Sequence, residues 1–117
     1  MNTPTAPGWI VHLCPQTAWL AALSSGEYRP ASLDSEGFIH CSRPEQVTAV
    51  ANRFYRGLTG LVLLWIDPRQ VAAEIRWEPA DGQVFPHIYG SLNITAVLAV
   101  REFDPGPDGV FYQPVGL

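Results

Sequence analysis

In the first half of the chain, apolar residues form two strand-like segments, and a helix-like segment follows each of them. The strands are predicted over residues 9–14 and 37–41, which are rich in β-branched and aromatic residues. Residues 16–24 carry apolar side chains at helical spacing and predict the first helix. A polar loop over residues 27–36 separates that helix from the second strand, and loops of this length are often functional.

The second helix is predicted directly after the second strand, over residues 43–56. Ser42 and Glu45 have the spacing of a capping box, in which the serine caps the first turn and the glutamate bonds back to it. The apolar residues of this segment recur at helical spacing and form one stripe: Val47, Val50, Ala51 and Phe54.

The second half of the chain is dominated by strand-like segments. They lie at residues 61–66, 74–78, 85–90 and 94–103. The first is apolar throughout, which predicts a strand covered on both faces. The second alternates, with Ile75 and Trp77 facing inwards, and turn-forming residues follow it at 79–82. Two early helices and several later strands favour an α+β domain over a regular alternation of strand and helix.

Length and composition fit one ordinary domain of 117 residues. We assign residues 9–103 to a single α+β domain and residues 1–8 to a flexible leader. Residues 104–117 form a Pro/Gly-rich tail, which either packs against the domain or hangs free.

The net charge of the chain limits the kinds of binding partner that we expect. The chain has 7 basic residues, all arginine, against 11 acidic ones, and its net charge is -4. An acidic chain without basic clusters is a poor candidate for non-specific binding to nucleic acid or to anionic membranes. No segment approaches the roughly 20 apolar residues of a membrane span, and no signal-peptide pattern is present. We therefore expect a cytoplasmic protein.

The three histidines carry the main chemical clue, because each lies in or beside a predicted strand. They are His12, His40 and His87. An imidazole in a core must have both nitrogens satisfied, since an unpaired buried polar group costs about 1–3 kcal/mol. A polar cleft shared by all three explains their placement, and three separate, half-exposed strand residues are the alternative.

Such a cleft has several candidate chemistries. Three histidines with Cys14 or Cys41 match the ligand count of a zinc site, although no short histidine spacing supports it. A Cys–His nucleophile is disfavoured, because strand neighbours face opposite ways and both thiols lie in apolar stretches typical of buried, free cysteines. Polar recognition of a ligand is the third alternative, with Tyr28, Tyr89 or Trp77 stacking on a ring.

Anions have candidate partners in the same region. Arg29 and Arg43 flank His40 and could bind a phosphate in bidentate fashion, unless they are ordinary surface arginines. The helix predicted after Ser42 would also offer free N–H groups to an anion. Glu78 is a candidate acid–base carboxylate, or else a solvated charge paired with Arg76 or Arg101. A Rossmann or P-loop nucleotide site is excluded, since neither glycine motif is present.

The order of several short motifs resembles a known family, the domain of unknown function 952. The most specific motifs are Glu-Gly-Phe-Ile-His-Cys-Ser, ending at Ser42, and Phe-Pro-His-Ile-Tyr-Gly, ending at Gly90. The resemblance runs from about Trp9 to Phe103. That family is distantly similar to the ADP-ribosyltransferase-like superfamily, which also includes the RNA 2'-phosphotransferases. The resemblance implies a split, mostly antiparallel sheet with both helices packed on it.

The same resemblance implies roles for individual residues. His12 would contact the ribose and carboxamide of NAD, and His40 stands near the position of an aromatic residue that stacks on nicotinamide. His87 stands where the superfamily has a glutamate. A neutral histidine supplies no fixed negative charge, so standard mono-ADP-ribosyl transfer is not expected unless Glu78 substitutes from another strand.

The sequence thus favours a protein that binds NAD or a related small-molecule, nucleotide-like ligand in a histidine-lined cleft. The chemistry would be of glycosyl- or phosphotransferase type, with His12, His40 and His87 as general acids or bases. Candidate ligand-binding residues are Ser42, Arg43, Tyr28, Arg29, Tyr89 and Glu78. A metal-binding protein and a non-catalytic ligand-binding or interaction domain are the alternatives.

Overall fold

Eight short strands and three α-helices follow one another along residues 8–114, the part of the chain that a computed structural model describes. The strands are β1 (Ile10–Pro15), β2 (Glu27–Tyr28), β3 (Ile39–His40), β4 (Leu61–Ile66), β5 (Glu74–Ala80), β6 (Gln83–Tyr89), β7 (Leu92–Asn93) and β8 (Val97–Glu102). The helices are α1 (Gln16–Ser25), α2 (Ser32–Ser35) and α3 (Val47–Phe54). Two single 3-10 turns lie at Pro68–Gln70 and Ile94–Ala96.

The strands pair into three small sheets, and all of their pairings are antiparallel. The strand orders are β1-β4-β8, β2-β7 and β3-β6-β5. Two backbone hydrogen bonds, of 2.8 and 2.9 Å, join Val11 of β1 to Ser42 just after β3. This bridge brings the first sheet and the third sheet side by side. The α+β class with mostly antiparallel strands is therefore confirmed.

The central strand β4 separates two apolar clusters. Its alternate residues Val62, Leu64 and Ile66 face the cluster that α1 covers through Trp19 and Ala22. Its other residues, Leu61, Leu63 and Trp65, face the cluster that α3 covers through Val47 and Ala51. All six residues of β4 are buried, which confirms the prediction of a strand covered on both faces.

Helix α1 agrees with its prediction to within one residue. It ends at Gly26, whose φ of 94° is left-handed and whose N–H donates to the carbonyl of Ala22 at 2.8 Å. The loop predicted after it is more ordered than expected, because β2 and the single turn of α2 lie within residues 27–36. Within residues 8–114, no helix combines the length and the apolar character needed to cross a membrane.

The capping box predicted at Ser42 is wrong, and the second helix is shorter than expected. Helix α3 begins at Val47 after Gln46, and no side chain caps it. Ser42 stays extended because its N–H and C=O both pair with Val11. Glu45 bonds the side chain of Arg43 instead of the helix start. Side-chain spacing alone did not show that the β-bridge holds Ser42.

Two further predictions fail at the outer edges of the sheets. Trp77 was expected inside but is 47% exposed, because the β5–β6 hairpin extends beyond the core after Ile75. The last strand, predicted over 94–103, starts later, because Ile94–Ala96 form a 3-10 turn and β8 covers only Val97–Glu102.

The first part of the predicted tail packs against the domain. Phe111 is 1% exposed and belongs to the cluster on the α3 side of β4. Its backbone N–H and C=O both bond the side-chain amide of Asn52, at 2.8 and 3.0 Å. Of the predicted leader, residues 1–7 lie outside the described part of the chain.

Candidate active site

One cavity, with a volume of about 800 Å³, opens between α3, β1, β3 and the tip of the β5–β6 hairpin. All three histidines line it, together with the candidate residues Tyr28 and Ser42. The shared cleft predicted from the sequence is therefore present as a geometric feature. The three imidazoles, however, stand in very different environments.

His12 is locked by hydrogen bonds at both ring nitrogens. Its Nδ1 lies 2.5 Å from the backbone carbonyl of His40, and its Nε2 lies 2.7 Å from the hydroxyl of Tyr28. A carbonyl only accepts, so Nδ1 carries the proton and donates. Nε2 then has a lone pair, and the Tyr28 hydroxyl donates to it.

Burial keeps His12 neutral. Desolvation lowers the pKa of its imidazole to about 4, and the nearby His40 side chain adds to that shift, while the bond to the His40 carbonyl opposes it. Burial likewise raises the pKa of the Tyr28 hydroxyl. With both nitrogens occupied, His12 positions Tyr28 and the end of β3 and holds no free proton-transfer site.

His87 has one nitrogen held and the other without a partner. Its Nδ1 donates to Oε1 of Glu78 at 2.7 Å, and the Tyr89 hydroxyl donates to the same oxygen at 2.7 Å. Among residues 8–114, nothing accepts from or donates to its Nε2. The ring of Phe38 stacks on the imidazole, with centroids 4.2 Å apart and planes 21° apart, and so fixes its orientation.

Glu78 is therefore a fixed negative charge at the site. The hydrogen bond from His87, followed by the one from Tyr89, lowers the pKa of its carboxyl below the ordinary value. The alternative of a solvated carboxylate paired with Arg76 or Arg101 does not describe it, since Arg76 bonds Glu74 at 3.1 Å. Arg76 instead lies over the ring of Tyr89, 4.1 Å from the centroid.

His40 forms a second carboxylate–histidine pair beside the first. Its Nε2 lies 3.0 Å from Oε2 of Glu36 and donates to it, and the side chain is exposed. His40 and His87 are direct cross-strand partners on β3 and β6, and their ring centroids are 5.4 Å apart. The two imidazoles therefore stand side by side, each held by its own carboxylate.

The cysteines do not supply a nucleophile near neutral pH. Cys14 and Cys41 are buried and free, as the sequence predicted. Burial raises the pKa of the Cys14 thiol to about 11 and raises that of Cys41 further. Both thiols thus stay protonated.

The arginines proposed from the sequence lie away from the cavity wall. Arg29 faces Asp34 at 3.9 Å, and Arg43 bonds Glu45 at 2.9 Å. The backbone N–H of Arg43 donates to Oε1 of Gln46 at 2.9 Å. The anion site expected at a helix start after Ser42 is therefore not formed, because α3 starts later and this donor is already occupied.

A metal site through the three histidines finds no support in their geometry. Both nitrogens of His12 bond protein groups, so this side chain has no lone pair left for a metal. Residues 8–114 contain no group of three or more His, Cys, Asp or Glu side chains arranged to hold a metal ion.

Sequence reasoning missed several residues that shape the site. Phe38 was noted only as part of a strand, and Gln46, Arg53 and Asp81 were not considered. The pairing of Glu78 with His87 depends on the register of the β5–β6 hairpin. A two-residue turn placed at Asp81-Gly82 would have predicted that register. In it, Arg76 is the direct cross-strand partner of His87. Glu78, two residues after Arg76, lies on the same face and is the diagonal neighbour of His87.

Comparison with known proteins places the chain in a family. The model of the family described as protein of unknown function (DUF952) matches residues 13–100. This chain belongs to that family. No curated protein matches it.

Solved structures support the fold of this DUF952 domain. The crystal structure of protein CC0527 from Caulobacter crescentus is 31% identical, with a TM-score of 0.81, and the match covers 89% of this chain and 93% of that one. The solution NMR structure of CC0527 is also 31% identical, with a TM-score of 0.77, and covers 88% of this chain and 90% of that one. The family is thus established, and its function has to be argued from the site.

Proposed function

We propose that this protein is an enzyme that cleaves the N-glycosidic bond of a nucleotide-like ligand, with NAD as the first candidate substrate. The observation that carries the proposal is the pair His40 and His87. Their imidazoles stand 5.4 Å apart on the wall of an 800 Å³ cavity, and each is hydrogen bonded to a carboxylate. A cavity of that volume is in the usual range for small-molecule and cofactor sites.

His87 is suited to the role of general base. Because Glu78 accepts the proton of Nδ1, Nε2 is left as the basic nitrogen, which is the way a carboxylate orients a catalytic imidazole. A water molecule would lose a proton to Nε2 as its oxygen bonds to the anomeric carbon of the sugar. The C–N bond breaks, and its electron pair leaves with the base.

His40 is suited to the role of general acid. It is exposed, and its Nε2 donates to Oε2 of Glu36, which fixes the orientation of the ring and leaves Nδ1 to face a ligand. A pyridinium leaving group, as in NAD, departs as neutral nicotinamide and needs no proton. A purine or pyrimidine would take a proton from the His40 imidazolium as the C–N bond breaks.

The charge of Glu78 supports bond cleavage at a sugar. Glycosidic cleavage develops positive charge on the ribose, and an oriented carboxylate beside it lowers the barrier. The family resemblance implies a glutamate for this purpose, and the sequence has a histidine at the expected place. Glu78, on the neighbouring strand β5, supplies the missing negative charge to the same face.

Transfer of a phosphoryl group at the histidine pair is less well supported. Such chemistry needs cations around the transferred group. Here two carboxylates, Glu36 and Glu78, flank the pair, while Arg29 and Arg43 are held outside the cavity. Their negative charges would repel a phosphate at this point.

The test is to incubate the protein with NAD at pH values from 5 to 9 and to measure the released nicotinamide by chromatography. We expect His87→Ala to slow release by about 10²–10⁴-fold, since a positioned acid–base group contributes that much. Glu78→Gln should slow it by roughly 10²-fold, because the fixed charge is lost while the shape is kept. Glu102→Gln on β8 is the matched control and should behave as the unaltered protein.

Two results would contradict the proposal. Release that is unaffected by His87→Ala would show that the activity arises elsewhere. Saturable binding of NAD with no release at any pH would instead favour the non-catalytic, ligand-binding alternative.

A further inference from the structure

Arg53 is the single arginine among the residues that line the cavity, and the chain has no lysine. It projects from the last turn of α3, on a part of the wall formed by α3 and the tip of the β5–β6 hairpin. The histidine pair lies on the β3–β6 part of the wall, beside Glu36 and Glu78. The arginine of the lining and the two glutamates that bond the histidine pair therefore lie on different elements, α3 on one side and the strands or the loop before β3 on the other.

The guanidinium of Arg53 is held by a partner that a ligand could replace. Its Nη1 lies 2.7 Å from Oδ2 of Asp81, and the two side chains are 60% and 63% exposed. Ion pairs as exposed as this contribute only about 0–1 kcal/mol. A terminal phosphate, as in AMP, or the pyrophosphate group of NAD carries about two negative charges against the single charge of Asp81, and its oxygens fit the bidentate geometry of the same guanidinium.

Asp81 is fixed at this place by the hairpin turn. Its φ is +50° and that of Gly82 is +78°, the left-handed pair typical of a two-residue hairpin turn. Both Asp81 and Gln83 line the cavity beside Arg53. The carboxylate thus stays at the mouth whether or not the arginine is bound to it.

The attachment of the hairpin to α3 does not depend on the ion pair. Gln46 is 4% exposed, and its Nε2 donates to Oε1 of Gln83 and to the carbonyl of Val84, at 3.0 Å each. These partly buried bonds fasten the hairpin to the residue before α3. Breaking the bond between Arg53 and Asp81 therefore frees the guanidinium without freeing the hairpin.

We propose that Arg53 binds a phosphate group of the ligand and that Asp81 competes with the ligand for it. This inference rests on the proposed function and deepens it by naming the part of the ligand that each site takes. The carboxylates at the histidine pair repel the phosphate, and Arg53 attracts it. A nucleotide consequently binds with its sugar–base bond at His40 and His87 and its phosphate at Arg53.

Binding of inorganic pyrophosphate, AMP and adenosine tests this proposal, with calorimetry for affinity and the Arg53 Nε–Hε NMR signal for location. We expect pyrophosphate and AMP to shift that signal and adenosine to leave it in place. Arg53→Gln should weaken AMP and pyrophosphate binding by about 10–100-fold, the usual value of a hydrogen-bonded charge. Arg56→Gln is the control, since Arg56 is exposed and lies outside the cavity lining.

Asp81→Asn provides the opposite change. Asparagine tolerates the left-handed backbone and keeps the size of the side chain, so the turn should be retained. Removal of the competing charge should tighten AMP and pyrophosphate by about two- to fivefold, while adenosine is unaffected.

The proposal is overturned if pyrophosphate at 10 mM leaves the Arg53 signal unmoved, or if Arg53→Gln and Arg56→Gln weaken AMP equally. It is also overturned if Asp81→Asn fails to tighten phosphate-bearing ligands. Phosphate binding at Arg53 without nicotinamide release from NAD supports this inference and contradicts the catalytic one. Nicotinamide release whose KM for NAD is unchanged by Arg53→Gln supports the catalytic proposal and contradicts phosphate binding at Arg53.

Discussion

His12 and His87 line the same cavity but are held in opposite ways. His12 bonds protein groups at both nitrogens and is kept neutral by burial. His87 bonds a carboxylate at one nitrogen, and its other nitrogen has no partner within residues 8–114. In the first arrangement, the imidazole only holds neighbouring groups in place. In the second, Nε2 is left with a lone pair that can accept a proton. Presence on a cavity wall therefore does not make a histidine catalytic.

The largest expected difference between the two histidines is in how much each one contributes to the free energy of unfolding. His12→Ala removes a buried ring and leaves the His40 carbonyl and the Tyr28 hydroxyl without their partner, so we expect a loss of about 3–4 kcal/mol in the free energy of unfolding. His87→Ala also removes a buried ring that stacks on Phe38, but its carboxylate partner can bind water and Tyr89, so we expect a smaller loss of about 2 kcal/mol. Urea unfolding monitored by tryptophan fluorescence measures both. Equal losses would contradict the division of roles.

The next effect is the dependence of stability on pH. The pKa of His12 is about 4 in the folded protein, below its ordinary value of 6.5, so the unfolded chain takes up the proton first. The contribution of neutral His12 is complete above pH 6.5 and is lost as the pH falls towards 4, with a total of about 3 kcal/mol. Unfolding free energies measured at pH 7.5, 6, 5 and 4.5 should show that fall.

The variant His12→Gln is the control for this pH dependence. A glutamine amide can still donate to the His40 carbonyl and accept from Tyr28, but it does not titrate. The decline between pH 6.5 and 4.5 should become much shallower in this variant. A slope that stays the same would assign the titration to another group.

The smallest expected effect compares two tyrosine hydroxyls. Tyr28→Phe leaves the buried Nε2 of His12 without a donor and should cost about 1–2 kcal/mol in the free energy of unfolding. Tyr89→Phe removes a donor from Glu78, which keeps its bond from His87, so no measurable loss is expected. Thermal unfolding of the two variants at pH 7.5 decides this. A larger loss from Tyr89→Phe would mean that the Glu78 cluster is structural as well.

Sequence reasoning succeeded where local pattern determines the outcome. The apolar run of β4, the helix that follows Pro15 and the burial of both cysteines were all predicted from residue types and spacing. It also predicted a cleft shared by the three histidines, because each of them lay in or beside a predicted strand. It could not tell their states apart, since the locking of His12 depends on Tyr28 and the His40 carbonyl, which reach it only through tertiary contacts.

The failures have the same physical origin. Ser42 has the residues of a helix cap around it, but the backbone pairing with Val11 prevails over that local preference. Trp77 follows the strand alternation, but alternation does not show where the core ends along a hairpin. The distant superfamily resemblance remains a prediction, because the comparisons establish the family and the fold of CC0527 and go no further.

The pairing order of the first sheet has a consequence for synthesis on the ribosome. Strand β1 pairs with β4, and β4 is completed on its other edge by β8, so the three-stranded sheet cannot be complete until residue 102 has left the exit tunnel. At ordinary elongation rates of about 5–20 residues per second, the apolar β4 waits a few seconds without its last partner. We therefore expect the yield of folded protein to depend on how fast residues 67–102 are synthesised.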